Sequence, residues 1–358
     1  MNNQKQVVIC DGKRLSYIDL AKFIGILFVV ISHSGVGGGL SFDKWIHIFH
    51  MPLFFFISGF TFDFEKHSKD FKNFIFRRVK SLVIPYFCFS LIIYGLRLLL
   101  CALGIQQVFS FKTFIKTLLY DCCLDSLQGT IQWFIPSLLF TEVFALFSYV
   151  ILSKQSEKYS VRMVVIGTVF GVFGFAYPHL STHRLPMGLD VALVGVFFFI
   201  VGNITKHYNL MNYITRLSKS ISLLFALLLL FFGTITGMHN GEISMRELIY
   251  GNEFLFIVSS LMIVLFTIVM CYYIDTSICN CCAYNGIIYL GQNTLVILLL
   301  NRVIILFVNV VLKKLNYSTT SYLVLFARPI IVLVVCYFSS KVIIAFFPFL
   351  LGRKNKAS

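Results

Sequence analysis

Ten stretches of this chain are each roughly 20 residues long and nearly free of charge, the length a helix needs to cross the hydrocarbon core of a bilayer. They fall at approximately 15–35, 46–62, 81–104, 131–152, 161–178, 188–205, 219–238, 253–274, 286–312 and 322–348. Such runs read as helices, because backbone groups in lipid must find hydrogen bonds within their own segment. The expected fold is therefore an all-α integral membrane protein, a bundle of about ten transmembrane helices. Composition agrees: 58% of the 358 residues are hydrophobic, 40 of them Phe, and 13% are charged. Soluble domains carry about 45–50% apolar and about 25% charged residues, and a single soluble core stops growing near this size. A soluble enzyme, a secreted disulfide scaffold and a disordered tail are excluded.

The excess of 30 Lys and Arg over 15 Asp and Glu, net +15, is scattered between the apolar spans rather than gathered on one domain. That pattern implies no nucleic acid partner and points instead to anionic membrane lipid. With the N-terminus placed in the cytoplasm, inside segments hold 18 basic residues and outside segments 7. This bias, with an even number of spans, places both termini in the cytoplasm. Residues 1–14 read as an N-terminal tail, 15–350 as the ten-span domain and 351–358 as a basic cytoplasmic tail. The polar first sixteen residues lack the pattern of a removable signal, and no connecting segment is long enough for an appended soluble domain. Residues 63–80 are the most polar stretch, with Phe71, Phe74 and Ile75 at helical spacing before Arg77, Arg78 and Lys80. They predict a helix lying on the cytoplasmic surface. The CNCC run at 279–282 is half of a zinc pattern without a second half, and reads as reduced thiols.

Ionisable groups inside spans cost several kcal/mol and mark function by default. In the first span, Lys22 and His33 are eleven residues apart, within about 20° of one another around the helix and about 16 Å apart along it. Asp19 falls on the same stripe, within about 40° of His33. An interfacial ion pair accounts for Asp19 and Lys22 taken alone, and helix packing for His33 taken alone. The second span opens with His47, His50 and Pro52, level with His33. Three histidines at one depth admit a metal, but depth supplies no coordination geometry, and no metal is expected. Further charges within spans are Arg97, Glu142, Asp190, Glu253, Arg302, Arg328 and Lys341. Glu142 and Asp190 are the ones too short to reach the interface, so they are candidates for interior or substrate contacts.

The segments RLSYIDLAKFIGILFVVISH (14–33), FHMPLFFFISGF (49–60), RRVKSLVIPYF (77–87), QWFIPSLLF (132–140), LPMGLDVALVGVFFFIVGN (185–203) and LGQNTLVILLLNR (290–302) resemble, in order, the integral-membrane acyltransferase 3 family. The resemblance implies a ten-span bundle in a bacterial inner membrane. Its expected activity is transfer of an acyl group, usually acetyl, from cytoplasmic acetyl-CoA to a hydroxyl of an extracytoplasmic glycan or its lipid-linked precursor. The family's basic residue, ten intervening positions and histidine match Lys22 and His33, with Lys where many members carry Arg. Asn301 stands where a His is expected, and the fused esterase-like domain of many relatives is not seen.

An acyl donor with anionic phosphates calls for cations at the cytoplasmic face, and Lys22, Arg77, Arg78 and Lys80 are the candidates. His33 would then act as general base on the acceptor hydroxyl, or carry the acyl group. Asp19 would balance Lys22, His50 would position the acceptor, and Trp133 would offer a flat face to a sugar or to the donor; an interfacial aromatic belt accounts equally for Trp133. The competing reading is a transporter or flippase of a polysaccharide intermediate, since intramembrane charges also mark substrate paths. The lack of an internal repeat speaks against it.

Overall fold

The computed structural model describes residues 15–35, 40–104, 110–120, 133–153, 159–278, 281–318 and 321–353. The apolar runs become α1 (Ser16–His33), α2 (Leu40–Thr61), α5 (Ile84–Ala102), α7 (Phe134–Ser153), α8 (Tyr159–Leu180) and α9 (Leu189–His207) in the first part of the chain. They continue as α11 (Lys219–His239), α12 (Glu253–Ser277), α14 (Thr294–Lys314) and α15 (Tyr322–Phe346). Shorter helices lie between them: α3 (Phe64–Lys69), α4 (Phe71–Arg78), α6 (Phe111–Leu119), α10 (Leu210–Arg216) and α13 (Cys282–Gln292). Among the described residues nothing forms a strand beyond one isolated bridge, Ser244 to Ile249.

Nine helices among the described residues are long and apolar enough to cross a membrane. The tenth expected span is α2, which begins six residues before the apolar run and is 22 residues long, about 33 Å at 1.5 Å per residue. Length does not exclude it; its polar outer turn and His47 and His50 do. The packing explains how so polar a helix holds this position. α2 lies against α9, α1, α12 and α11, with Ile48, Phe49, Leu53, Phe55, Phe56 and Ile57 all essentially inaccessible. A helix enclosed by protein has no need to be soluble in lipid.

Close approach of α2 and α9 depends on two glycines. A Cβ on Gly59 would collide with the Phe199 carbonyl, and one on Gly202 with the Phe56 carbonyl. This is the small-residue contact that lets membrane helices pack backbone to backbone. Asn203 ties the same crossing by donating its amide to the Gly59 and Phe62 carbonyls, both at 3.0 Å. Pro52, inside α2, has no N–H to give the carbonyl four residues back. That carbonyl, on Ile48, accepts instead from Ser260 Oγ of α12 at 2.6 Å, the kind of repair by a neighbouring helix that lipid-embedded proline requires.

The expected surface helix at 63–80 is organised differently. Asp63 and Asp70 cap α3 and α4 by accepting from the backbone N–H groups of Lys66 and Asn73. α4 then runs into α5 as one helical rod, Phe71–Ala102, through a wide π-helical turn at Val79–Val83. Pro85 follows after Ile84, and its ring needs room against the Ser81 carbonyl. Phe74 of α4 is buried with Phe62, Phe64 and Phe199, so the segment docks into protein as an elbow. Large apolar side chains on α8, α11 and α15, among them Phe173, Phe231, Phe232, Phe326, Ile330 and Phe338, are exposed on the outside of the bundle. They form the face that lipid covers.

Candidate active site

His33 ends α1, and its ring meets a residue far away in sequence. His33 Nδ1 lies 2.7 Å from Asn301 Oδ1 of α14. The amide of Asn301 has its NH2 committed, donating to the Ile297 and Leu298 carbonyls at 2.9 and 2.8 Å. Its oxygen must therefore be the atom facing His33, and an oxygen of that kind only accepts. So Nδ1 of His33 carries the proton and donates, and Nε2 is left with its lone pair. Asn301 is fully buried, which holds this tautomer in place.

Around this pair the structure gathers more polar groups than the sequence stripe implied. His47 and His50 lie with ring centroids 5.2 Å apart. His50 is buried and donates Nδ1–H to the Ile46 carbonyl at 2.7 Å, so its Nε2 is also an acceptor. His33 stands within electrostatic range of His47, Arg302 and Arg246. Arg302 follows Asn301 directly in α14. Arg246 sits on the loop between α11 and α12, which Asn240 pins through the Tyr250 and Asn252 carbonyls. Lys44 holds the same loop by donating to the Met238 and Asn240 carbonyls, and Trp45 donates to Thr234 Oγ1. Arg328 donates to the Ser34 carbonyl at 2.5 Å just beyond His33. Among the described residues no cluster of three or more His, Cys, Asp or Glu has metal-site geometry.

Lys22 and Asp19 lie near the opposite end of α1 and form an ion pair, Nζ to Oδ1 at 3.4 Å. Asp19 is buried while Lys22 keeps a quarter of its side chain accessible. Gly291 lets α13 approach the Asp19 carbonyl, where a Cβ would collide. Asp275 also holds this end, accepting from Ser16 Oγ at 2.6 Å and from the Tyr284 hydroxyl. Burial first, then that carboxylate, pushes the Tyr284 phenol up from its ordinary value.

The three elbow cations are not equivalent. Arg78 reaches Glu142 of α7, Nη2 to Oε1 at 2.6 Å, with the carboxylate almost wholly buried, and lies over the Phe74 ring. Arg77 is exposed and Lys80, on the wide turn, is partly exposed. Asp190 is inaccessible, held by Arg184 through Nε at 2.7 Å and Nη2 at 3.2 Å, and accepts from two backbone N–H groups. Both candidate substrate acids thus sit in ion pairs that fasten helices and loops. Trp133 immediately precedes α7, half-buried against Phe134. Cys279 of the CNCC run lies outside the described residues, and Cys281 caps α13 by accepting from Tyr284 N–H.

Asn301, Arg302 and Arg246 form the part of the site that the α1 stripe did not assemble. A polar residue followed by a basic one inside an apolar run, Asn301-Arg302, is the signal for the first two. No curated protein and no solved structure shows significant similarity to the chain. The sequence profile of the acyltransferase domain known as acyltransferase 3 matches residues 15–347, nearly the whole of it. A match of that extent, over an almost wholly helical bundle, makes the chain a member of the acyltransferase 3 family.

Proposed function

We propose that this protein is a membrane O-acyltransferase, moving an acetyl group from cytoplasmic acetyl-CoA to a hydroxyl of an extracytoplasmic glycan or its lipid-linked precursor. The observation that carries the reading is the His33–Asn301 pair, at 2.7 Å, with the proton held on Nδ1. Nε2 of His33 takes the proton of the acceptor hydroxyl as that oxygen attacks the acyl carbonyl, and returns it to the departing sulfur. Acetyl-CoA supplies the thioester for this exchange. Asn301 holds the imidazole as a neutral acceptor, a role that needs no charge. His50 Nε2 is placed to accept from a second hydroxyl of the acceptor.

At the other face Lys22, Arg77 and Lys80 bind the donor's phosphates. Arg78 shapes the elbow through Glu142 instead of serving as a free cation. The charge bias between loops supports cytoplasmic termini and a donor site on that side, and membership of the family is what suggests a bacterial inner membrane. The Lys22–His33 separation, about 16 Å along α1, suits an elongated donor threading from the phosphate site to the base.

The test uses the purified chain in liposomes with radiolabelled acetyl-CoA, comparing wild type with His33→Ala. The expected result is thioester loss, to water or to added glycan, that disappears in the variant while its thermal unfolding stays cooperative. Turnover at the wild-type rate in His33→Ala would remove His33 from the chemistry. No donor binding and no turnover in folded wild-type protein would overturn acyl transfer in favour of glycan transport.

A further inference from the structure

Within the bundle, α1 packs on α2, α2 on α9, α9 on α7, α7 on the wide turn that leads into α5, α5 on α14, and α14 back on α1. These helices close a ring that carries Lys22 at one end and His33, His50 and Asn301 toward the other. Whatever joins those ends runs along the inner side of the ring. Phe55 and Phe56 of α2 are wholly inaccessible, whereas Phe54 beside them is only half-buried. Between His47 and Phe60, the residues of α2 with surface left are His47, Phe54 and Ser58. Steps of seven and four residues keep these within about 40° of one another around the helix. Because α9, α1, α12 and α11 cover α2, that stripe opens into the bundle. From the facing helices, Leu298 of α14 touches three of the bundle's apolar clusters and still keeps surface. Leu138 of α7 is half-buried in the same way.

The Phe54 ring lies in a gap left by a missing side chain. A Cβ on Gly25 of α1 would stand 3.0 and 3.1 Å from Cζ and Cε2 of Phe54. The ring also meets Phe134 at the start of α7, with centroids 5.7 Å apart, so one side chain spans from α1 to α7. Gly25 is three residues from Lys22 and eight from His33, about 4.5 Å and about 12 Å along α1. Phe54 therefore stands between the cation end and the base. We infer that Phe54 is a movable seal in the donor passage: it closes the inside of the ring in the empty protein, and the uncharged arm of acetyl-CoA that carries the thioester displaces it and packs in its place. The proposal deepens the acyl-transfer reading and rests on it for the identity of the donor. The donor's phosphates stay with the cations, because a charge in this interior costs several kcal/mol, while an uncharged arm enters. A phenylalanine swings its whole ring by one change of rotamer. Without such a seal, a passage from one face to the other would let protons and water cross the membrane.

The experiment uses the full chain carrying Phe54→Cys, in liposomes, with 2-aminoethyl methanethiosulfonate as a small thiol reagent and labelling read at position 54 by mass spectrometry. The probes are CoA without an acyl group and adenosine 3′,5′-bisphosphate, which has nucleotide phosphates but no arm. Position 54 is expected to react in the empty protein, and CoA at about ten times its Kd to slow that reaction about tenfold. Adenosine bisphosphate at the same excess is expected to leave the rate unchanged. No reaction at position 54, or equal rates with and without CoA, overturns the passage. Protection by the bisphosphate equal to that by CoA overturns the assignment to the arm. For the seal itself, protons should enter dye-loaded liposomes faster with Phe54→Ala than with wild type, and CoA should slow them again. Entry at the wild-type rate with folded Phe54→Ala overturns the seal. Should the Phe54 variants fail to fold, Gly25→Val crowds the ring with Phe54 kept; it should lose CoA binding and keep bisphosphate binding, and wild-type affinity for CoA overturns the passage. Neither readout needs acyl transfer. Protection by CoA in a protein that turns over no acetyl-CoA would sink the catalytic reading and leave this one standing.

Discussion

Replacing Asn301 with Ala removes the oxygen that His33 Nδ1–H donates to at 2.7 Å. Nothing else about the elbow or the Lys22 end changes. A buried donor left without its acceptor costs about 1–3 kcal/mol, and the imidazole can escape that cost by moving its proton to Nε2. A ring with Nε2 protonated cannot take a proton from an alcohol. At about 1.36 kcal/mol per decade, the loss corresponds to roughly one to two orders of magnitude in kcat, with KM for acetyl-CoA nearly unchanged. Asn301→His should keep much of the rate. One ring nitrogen can donate to the Ile297 or Leu298 carbonyl while the other accepts from His33. Asn301→Asp should fall between, because its second oxygen would face those two carbonyls, now 2.9 and 2.8 Å from the amide nitrogen. The assay is steady-state release of CoA thiol by protein in liposomes, with thermal unfolding as the check on folding. Wild-type kcat in Asn301→Ala, or a loss confined to KM, would refute the tautomer argument.

Three further outcomes rest on particular contacts. Arg78→Gln strands a carboxylate that is 1% accessible; the expected cost is about 3 kcal/mol, the low end for a broken buried pair because Arg78 itself is a third exposed. The double variant Arg78→Gln/Glu142→Gln should unfold closer to wild type, and equal losses in single and double variants would refute the pairing. Gly59→Ala and Gly202→Ala drive a methyl into a backbone carbonyl, so each should cost about 3 kcal/mol or more; thermal unfolding within a degree of wild type would contradict the close crossing of α2 and α9. His67 packs against the Phe62 and Phe74 rings, and burial, then Arg78, holds its imidazole below the ordinary 6.5. The unfolded chain takes up that proton first, so stability is full above pH 6.5 and falls as the pH drops toward the folded value. Unfolding temperatures measured from pH 7 to 5 should show this decline in wild type and a smaller one in His67→Phe.

The membrane class and most helices were legible because the length of an apolar run is a local property. The stripe joining Asp19, Lys22 and His33 was legible for the same reason, since one helix carries all three. α2 was harder. Its outer turn, Leu40–Lys44, is polar, and apolar length underestimates a helix that other helices enclose. The elbow misled in a different way: Arg77, Arg78 and Lys80 read as a surface patch, although Phe74 and the Arg78–Glu142 pair dock the segment into protein. Which cation meets Glu142 or Asp190 depends on how helices pack, and no spacing along the chain encodes it.

The Asn301 position shows why a departure from a family pattern has to be read in three dimensions. In sequence, an Asn where a His is expected looks like a lost proton carrier. In the folded chain it lies 268 residues from His33 and supplies an acceptor, while its other end closes on two carbonyls of its own helix. A histidine could meet the same pair of demands, one donor and one acceptor, and so could an asparagine. An aliphatic residue could meet neither. What the position requires is therefore a bifunctional neutral group, and in the proposed reaction proton transfer falls to His33. The same logic governs Pro52, whose missing N–H is made good by Ser260 at the Ile48 carbonyl. At both places a local irregularity is completed by a side chain or ring from another helix, and in a medium without water that completion decides which irregular residues a span can carry.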